Sequence, residues 1–137
     1  MLKKRGQASI EYVLIFGFAL MMLMPLIVIY STQEESIRDD VNIVQARNIV
    51  NSVVDNAQKV YFIGSPSKTT INVRMPNNIE DIEITEEMVL LRVRTSDTTI
   101  EVFKYSDVNL TGDIESFPGL RKIEIKAYDG FVNISSK

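Results

Sequence analysis

One stretch near the amino terminus restricts what this chain can fold into more than any other feature. No charged residue occurs from Tyr12 to Gln33, and the part from Tyr12 to Tyr30 is almost wholly apolar. About 20 apolar residues in a helix are enough to cross the hydrocarbon of a bilayer. The sequence therefore predicts a membrane-spanning helix close to the amino terminus.

The charges on either side of this segment predict its orientation. Lys3, Lys4 and Arg5 precede it. Four carboxylates follow it, at Glu34, Glu35, Asp39 and Asp40. Because positive charge is retained on the cytoplasmic side, we expect the amino end to face the cytoplasm and the rest of the chain to lie outside. The segment does not fit a conventional secretory signal, since its apolar run is too long and no small-residue cleavage site follows it.

The composition excludes most enzyme classes and most cofactors. The chain has no cysteine and no histidine, so thiolate nucleophiles, imidazole bases, the usual zinc ligand sets and haem ligation through histidine are absent. Fifteen basic residues against 18 acidic ones give a net charge of −3, which offers no basic field for nucleic acid. We therefore expect a protein that is not an enzyme, has no cofactor or metal and does not bind nucleic acid.

Beyond Gln33 the apolar residues follow helical spacing and form one stripe. They recur at alternating intervals of three and four residues, at Ile43, Ala46, Val50, Val53, Ala57 and Val60. Gly64 and Pro66 then end the pattern, as expected of a helix stop. This predicts an amphipathic helix over residues 34–63 that continues the membrane helix.

Gly17 and Pro25 interrupt the apolar half, where we expect a kink or a short unwound stretch that acts as a flexible point.

The carboxyl-terminal half is strand-rich. Apolar and polar residues alternate in several short runs, at 71–75, 82–84, 89–93, 100–102, 123–127 and 131–134. Asp129-Gly130 is a strong signal for a two-residue hairpin, since both central positions of that turn need positive φ, and Thr95–Thr98 is a looser one. The predicted fold is α+β: a long helix packed on a small antiparallel sheet of five or six strands, whose apolar face the stripe covers.

The residues around the start of the apolar run resemble a known processing signal. Lys3-Lys4-Arg5-Gly6-Gln7-Ala8-Ser9-Ile10-Glu11-Tyr12, followed by the uninterrupted apolar run, is similar to the class III signal peptide of archaeal type IV pilin precursors. The resemblance implies that a membrane-embedded prepilin peptidase recognises the basic residues and cuts between Gly6 and Gln7. It divides the chain into a leader at 1–6, a membrane and filament-core helix at 7–33, a spine helix at 34–63 and an extracellular β-rich domain at 64–137.

Glu11 is the residue that most needs an explanation, because a carboxylate beside hydrocarbon is costly unless a partner neutralises it. Cleavage creates a positively charged amine on Gln7 at the membrane boundary, and the two charges attract strongly in low dielectric. Within one helix they lie a turn apart and can pair, whereas the resemblance implies pairing between neighbouring subunits. Two alternatives stay open: Glu11 reaches the water at the interface without a partner, or Gln7 cyclises to pyroglutamate and the amine charge is lost.

Two sequons occur in the outer half of the chain. Asn109-Leu110-Thr111 and Asn133-Ile134-Ser135 are acceptor sequences for N-glycosylation, so Asn109 and Asn133 are candidate glycan sites. The acidic residues between Glu80 and Glu87 do not form a calcium-binding loop of the helix–loop–helix type. We expect them on a solvated strand face.

The resemblance implies a structural role. The chain is expected to be stored in the plasma membrane as a single-pass protein and then polymerised with copies of itself, by an assembly platform and its ATPase, into a cell-surface filament for adhesion. One alternative is a minor pilin or pseudopilin that primes or modifies such a filament or serves a secretion system. Another, from a different class, is a bitopic receptor that binds a ligand with its β-domain and does not polymerise.

Overall fold

A computed structural model describes residues 2–137, with the side chains of residues 9–31, 33 and 36–137. Helix α1 spans Leu2–Ile63 and seven strands follow it. The chain divides into two compact units between Ile37 and Arg38, so α1 contributes to both. The two units are described one at a time.

The amino-terminal unit consists of α1 as far as Ile37. The backbone stays helical through Gly17 and Pro25, so it does not unwind there, and the alternative of a kink that acts as a flexible point stays a prediction. Pro25 lacks the N–H that would donate to the carbonyl of Met21, which costs one hydrogen bond of the helix. The Leu and Met residues around it favour the helix and keep it continuous.

In the second unit α1 buries the predicted stripe. Ala46, Val50, Val53, Ala57 and Val60 are buried, and Ile43 packs against them. The helix ends where the sequence predicted. The N–H of Gly64 donates to the carbonyls of Val60 and Tyr61 at 3.2 and 3.0 Å, and its φ of +97° suits a glycine at the end of a helix.

The strands form two sheets. They are β1 (Lys68–Met75), β2 (Ile79–Ile84), β3 (Met88–Arg94), β4 (Thr99–Tyr105), β5 (Leu110–Asp113), β6 (Gly119–Tyr128) and β7 (Phe131–Ser136). Sheet A has the strand order β1-β6-β7-β5, and sheet B has the order β2-β3-β4. The predicted α+β fold, with the helix packed on antiparallel strands, is confirmed; there are seven strands rather than five or six, in two sheets rather than one.

One core holds the helix and both sheets together. The buried face of α1 joins the inner faces of sheet A and sheet B in a single apolar cluster that includes Val53, Leu91 and Ile125. Within residues 9–31, 33 and 36–137 no polar side chain is buried. The second unit is therefore held by apolar burial, and its polar groups lie on its surface.

The turn between β6 and β7 contains Asp129 and Gly130, as predicted, with Tyr128 paired to Phe131. Gly130 has a φ of +92°, but Asp129 does not have positive φ. The turn is thus not the type that requires positive φ at both positions, because a glycine at the second position alone is enough to reverse the chain here.

Strand β5 is the element that the sequence pattern did not predict. It has four residues with only Leu110 buried, and it pairs parallel to β7, the one parallel pair among the described strands. Gly112 is opposite Ile134 in this pairing and has a φ of +129°. A Cβ on Gly112 would overlap the carbonyl oxygen of Ile134, so β5 can lie against β7 only with a glycine at this position.

Replacing Gly112 with alanine should destabilise the second unit strongly. The added Cβ combines the strain of positive φ with a clash against backbone, which we expect to cost about 2–4 kcal/mol in free energy of unfolding. The melting temperature should fall by roughly 10 °C or more, measured by circular dichroism on the detergent-solubilised chain. Gly130→Ala is the matched control, because Gly130 also has positive φ but a Cβ there meets nothing within 4 Å. Equal losses in the two variants would contradict the close approach of β5 to β7.

Candidate functional site

The most unusual surface of the chain is the first part of α1. Every large apolar side chain from Ile10 to Tyr30 is exposed, with accessible fractions from 48% to 78%. These side chains surround the helix on all sides, as the sequence between Tyr12 and Tyr30 has almost no polar residue to make a solvated face. A helix that is apolar all round is stable only in a membrane or buried among other helices.

Length and composition agree with a membrane segment. Among the described residues one helix, Ser9–Ile63, contains a window long and apolar enough to cross a bilayer, and that window is uncovered by the rest of the chain. At the end of the apolar run, the hydroxyl of Ser31 donates a hydrogen bond to the carbonyl of Val28 at 2.9 Å, so this polar group is satisfied within the helix. By length and composition, this part of the helix is able to cross a bilayer.

The apolar surface of α1 extends beyond the predicted membrane segment. Val41 and Val44 are 48% and 56% exposed, and their positions on the helix lie opposite Ala46 and Val50, which face the core. Val41 and Val44 are not part of the predicted stripe, because the apolar residues that face the core are more numerous and more regular in the helical pattern. Their spacing of three residues was nevertheless a visible signal of a second apolar face.

The residues that the sequence analysis assigned to processing and assembly lie at the start of α1. Glu11 is exposed, as is Gly17, whose position leaves open space around an added Cβ. The side chains of Lys3, Lys4, Arg5, Gly6 and Gln7 lie outside the described residues, so the predicted cleavage site and the predicted pairing of Gln7 with Glu11 stay predictions.

The two sequons lie in different surroundings in sheet A. Asn109 is exposed and directly precedes β5. Asn133 lies within β7 and is only partly exposed, between Lys126 of β6 and Thr111 of β5. An oligosaccharide on Asn109 would leave from the end of a strand, whereas one on Asn133 would stand in the middle of the outer face of the sheet.

A cluster of ion pairs covers the outer face of sheet B. The guanidinium of Arg92 contacts Glu101 at 3.0 Å, Asp81 at 3.2 Å and Glu83 at 3.4 Å. The hydrogen bond to Glu101, together with the negative charges of the three carboxylates, raises the pKa of Arg92 above its usual value. The acidic residues of β2 thus lie on a solvated strand face as predicted, and within residues 9–31, 33 and 36–137 no group of acidic side chains is arranged to hold a metal ion.

An open cleft of about 570 Å³ lies beside the turn between β3 and β4. Its charged groups are paired. The carboxylate of Asp39 accepts hydrogen bonds from the backbone N–H and the hydroxyl of Ser96, at 2.9 and 2.8 Å, and Arg94 pairs with Glu80. The hydrogen bonds from Ser96 lower the pKa of Asp39, so this contact persists at neutral pH and is lost only as the pH falls through that lowered value. The hydrogen bonds between Asp39 and Ser96 thus connect α1 to the hairpin formed by β3 and β4.

Known proteins give no direct guide to what these surfaces do. No protein family, curated protein or solved structure matches this chain at a significant level.

Proposed function

We propose that this chain is the structural subunit of a cell-surface filament of the archaeal type IV pilus kind. It is cut after Gly6, held in the plasma membrane by residues 7–33 with its amino end in the cytoplasm, and polymerised through α1 by a membrane platform and an ATPase. The filament exposes the strand domain, whose outer surface serves adhesion and carries any glycan.

Two features together carry this proposal. The second unit has a complete core of its own, and the apolar first part of α1 is left uncovered. The second unit closes its core with residues after Arg38 alone, so it does not need the first part of α1. That first part exposes apolar side chains on every side. In lipid this surface is satisfied; outside lipid it must be buried, and copies of the same helix offer an apolar surface of the same kind.

The residues at the start of α1 favour storage in the membrane followed by assembly over storage in the membrane alone. A receptor that stays in the membrane needs only the apolar run and its flanking charges, and it leaves Gly6-Gln7 and Glu11 without a role. In a subunit that is cut and then moves from the membrane into a filament, Gly6, Gln7 and Glu11 each have a role. Cleavage after Gly6 creates the amine on Gln7, and this amine gives Glu11 a partner of opposite charge. A minor pilin or pseudopilin would share these residues and differ in its abundance within the filament.

The amino terminus of material sheared from cells tests the proposal. We expect filaments whose main protein begins at Gln7, either as free glutamine or as pyroglutamate, as measured by mass spectrometry of the intact chain and of its first peptide. A main filament protein of another sequence, with this chain as a trace component, would indicate a minor pilin. Filaments made of subunits that still begin at Met1 would refute cleavage after Gly6, and a chain found only in the membrane would refute polymerisation.

A further inference from the structure

The outer faces of the two sheets carry charges of opposite sign. On sheet A the strand register places four cations and two anions outward. They are Lys68, Arg74, Lys122, Lys126, Glu124 and Asp113. On sheet B the register and the ion pairs place two cations and four anions outward. They are Arg92, Arg94, Glu80, Asp81, Glu83 and Glu101.

Each outer face also carries an exposed aromatic pair near its charges. On sheet A the rings of Tyr128 and Phe131 stack at 5.2 Å and are each 39% exposed. On sheet B the rings of Phe103 and Tyr105 meet edge to face at 5.6 Å and are 53% and 65% exposed. Aromatic residues are enriched in protein interfaces, where polar and charged residues surround them at the rim.

The charges and the aromatic residues have the same spacing on both faces. Lys126 comes two residues before Tyr128 in β6, and Glu101 comes two residues before Phe103 in β4. Two residues of a strand span about 6.6 Å. When the aromatic pairs of two stacked sheets meet with β6 of one copy running along β4 of the other in the same direction, Lys126 therefore lies beside Glu101.

We infer that the outer face of sheet A docks on the outer face of sheet B of a second copy of this chain. The inference rests on the proposed function and names a contact within the filament. Both inner faces belong to one core, so the two outer faces point away from it and each copy offers one face to each of two neighbours. Such a contact joins two different surfaces, so successive copies need not close into a ring and can form an open helical polymer.

The contact is too small to hold two copies together without the helices. Three strands of seven residues cover about 330 Å² in plan, so two stacked faces bury on the order of 650 Å², below the roughly 1,200 Å² of a stable interface. When the α1 helices assemble, they bring the second units of neighbouring copies together at a high local concentration. The contact between sheet faces then fixes how these units are oriented and which partner they accept. We therefore expect the contact to form within filaments and not between isolated second units in solution.

The contact also predicts which sequon is used. A glycan on Asn133 would stand between Lys126 and Thr111 on the docking face of sheet A, whereas Asn109 lies at the end of β5. We therefore expect assembled subunits to be unmodified at Asn133. Peptide mapping of sheared filaments checks this, and an occupied Asn133 in most assembled subunits would overturn the docking.

Charge reversal tests the contact in cells that express the full chain. One variant, Lys122→Glu/Lys126→Glu, makes face A acidic, and a second, Glu83→Lys/Glu101→Lys, makes face B basic. A third variant carries all four changes. Lys59→Glu, at an exposed helix position that belongs to neither sheet, is the control for the change in charge. The readout is the mass of sheared filaments divided by the amount of processed subunit in the membrane, with the free energy of unfolding of each variant measured alongside.

We expect each two-site reversal to lower this ratio about tenfold or more, because like charges then face each other across every contact. The four-site variant should recover to within about threefold of the control, since the faces are again opposite in sign. Normal filaments from both two-site reversals, or no recovery in the four-site variant, would overturn the docking. Those results would leave processing at Gln7 and the helix core intact, whereas a wild-type chain that forms no filament at all would remove the proposed function and the docking with it.

Discussion

Replacing Gly6 with valine is expected to leave the chain uncut in the membrane and to abolish filaments. A peptidase must draw an extended backbone of small residues into its site, and the described backbone at Gly6 belongs to α1. Glycine disfavours the helix by about 1 kcal/mol relative to alanine, which helps the end of the helix to unwind, and it has no side chain to obstruct the site. Valine removes both advantages.

The measurement is the ratio of precursor to processed subunit in membranes, from a gel that resolves the loss of residues 1–6, together with electron microscopy of the cell surface. Gly17→Val is the matched control for processing, since it makes the same change in the same helix at a position where an added Cβ meets nothing within 4 Å. Processed subunits at wild-type level in Gly6→Val would show that cleavage does not depend on Gly6.

The elements with a strong local pattern could be predicted from the sequence. The stripe from Ala46 to Val60 has helical spacing over several turns, and it became the buried face of α1. The hairpin at Asp129-Gly130 was predictable because a glycine with positive φ is a local requirement. Each of these signals depends on residues that are close in sequence.

The features that the sequence did not reveal depend on residues that are far apart in sequence. Strand β5 has one buried residue, Leu110, and exists because Gly112 lets it approach β7, which follows about 20 residues later. The separation of the strands into two sheets also depends on residues that are far apart in sequence. The cluster around Arg92 also depends on residues that are far apart in sequence, because only the strand register brings Glu83 and Glu101 to one guanidinium.

The candidate site at the start of α1 could be proposed from the sequence, whereas the opposite charges of the sheet faces could not. The pattern from Lys3 to Tyr12 is contiguous and can be read directly. The opposite charges of sheet A and sheet B emerge only after the strands have been assigned to a sheet and a register. In a filament subunit built in this way, the first dozen residues would carry the signal for processing and assembly. The sheet faces would determine which other subunits it contacts.

Glu11→Gln is expected to stop assembly while membrane insertion and cleavage proceed. The neutral side chain is easier to bury than the carboxylate, so insertion should not suffer, and the cleavage site is four residues away. Removing one partner of a pair in low dielectric leaves the other charge uncompensated, at a cost of about 3–5 kcal/mol. At 1.4 kcal/mol for each factor of ten, each contact in the filament weakens by about two to four orders of magnitude.

The control is Asp40→Asn, which neutralises an exposed carboxylate on the same helix outside the predicted membrane segment. Filament yield, measured beside the amount of processed subunit in the membrane, separates the possible roles of Glu11. A partner on Gln7 of the same helix would make the loss only about 0.2–0.5 kcal/mol, and a carboxylate that simply reaches the interfacial water would make the change nearly silent. Glu11→Asp keeps the charge and should retain part of the assembly that Glu11→Gln loses. Normal filaments from Glu11→Gln, or pyroglutamate at Gln7 in assembled wild-type subunits, would remove the pairing mechanism, and the uncovered apolar surface from Ile10 to Tyr30 would then have to drive assembly alone.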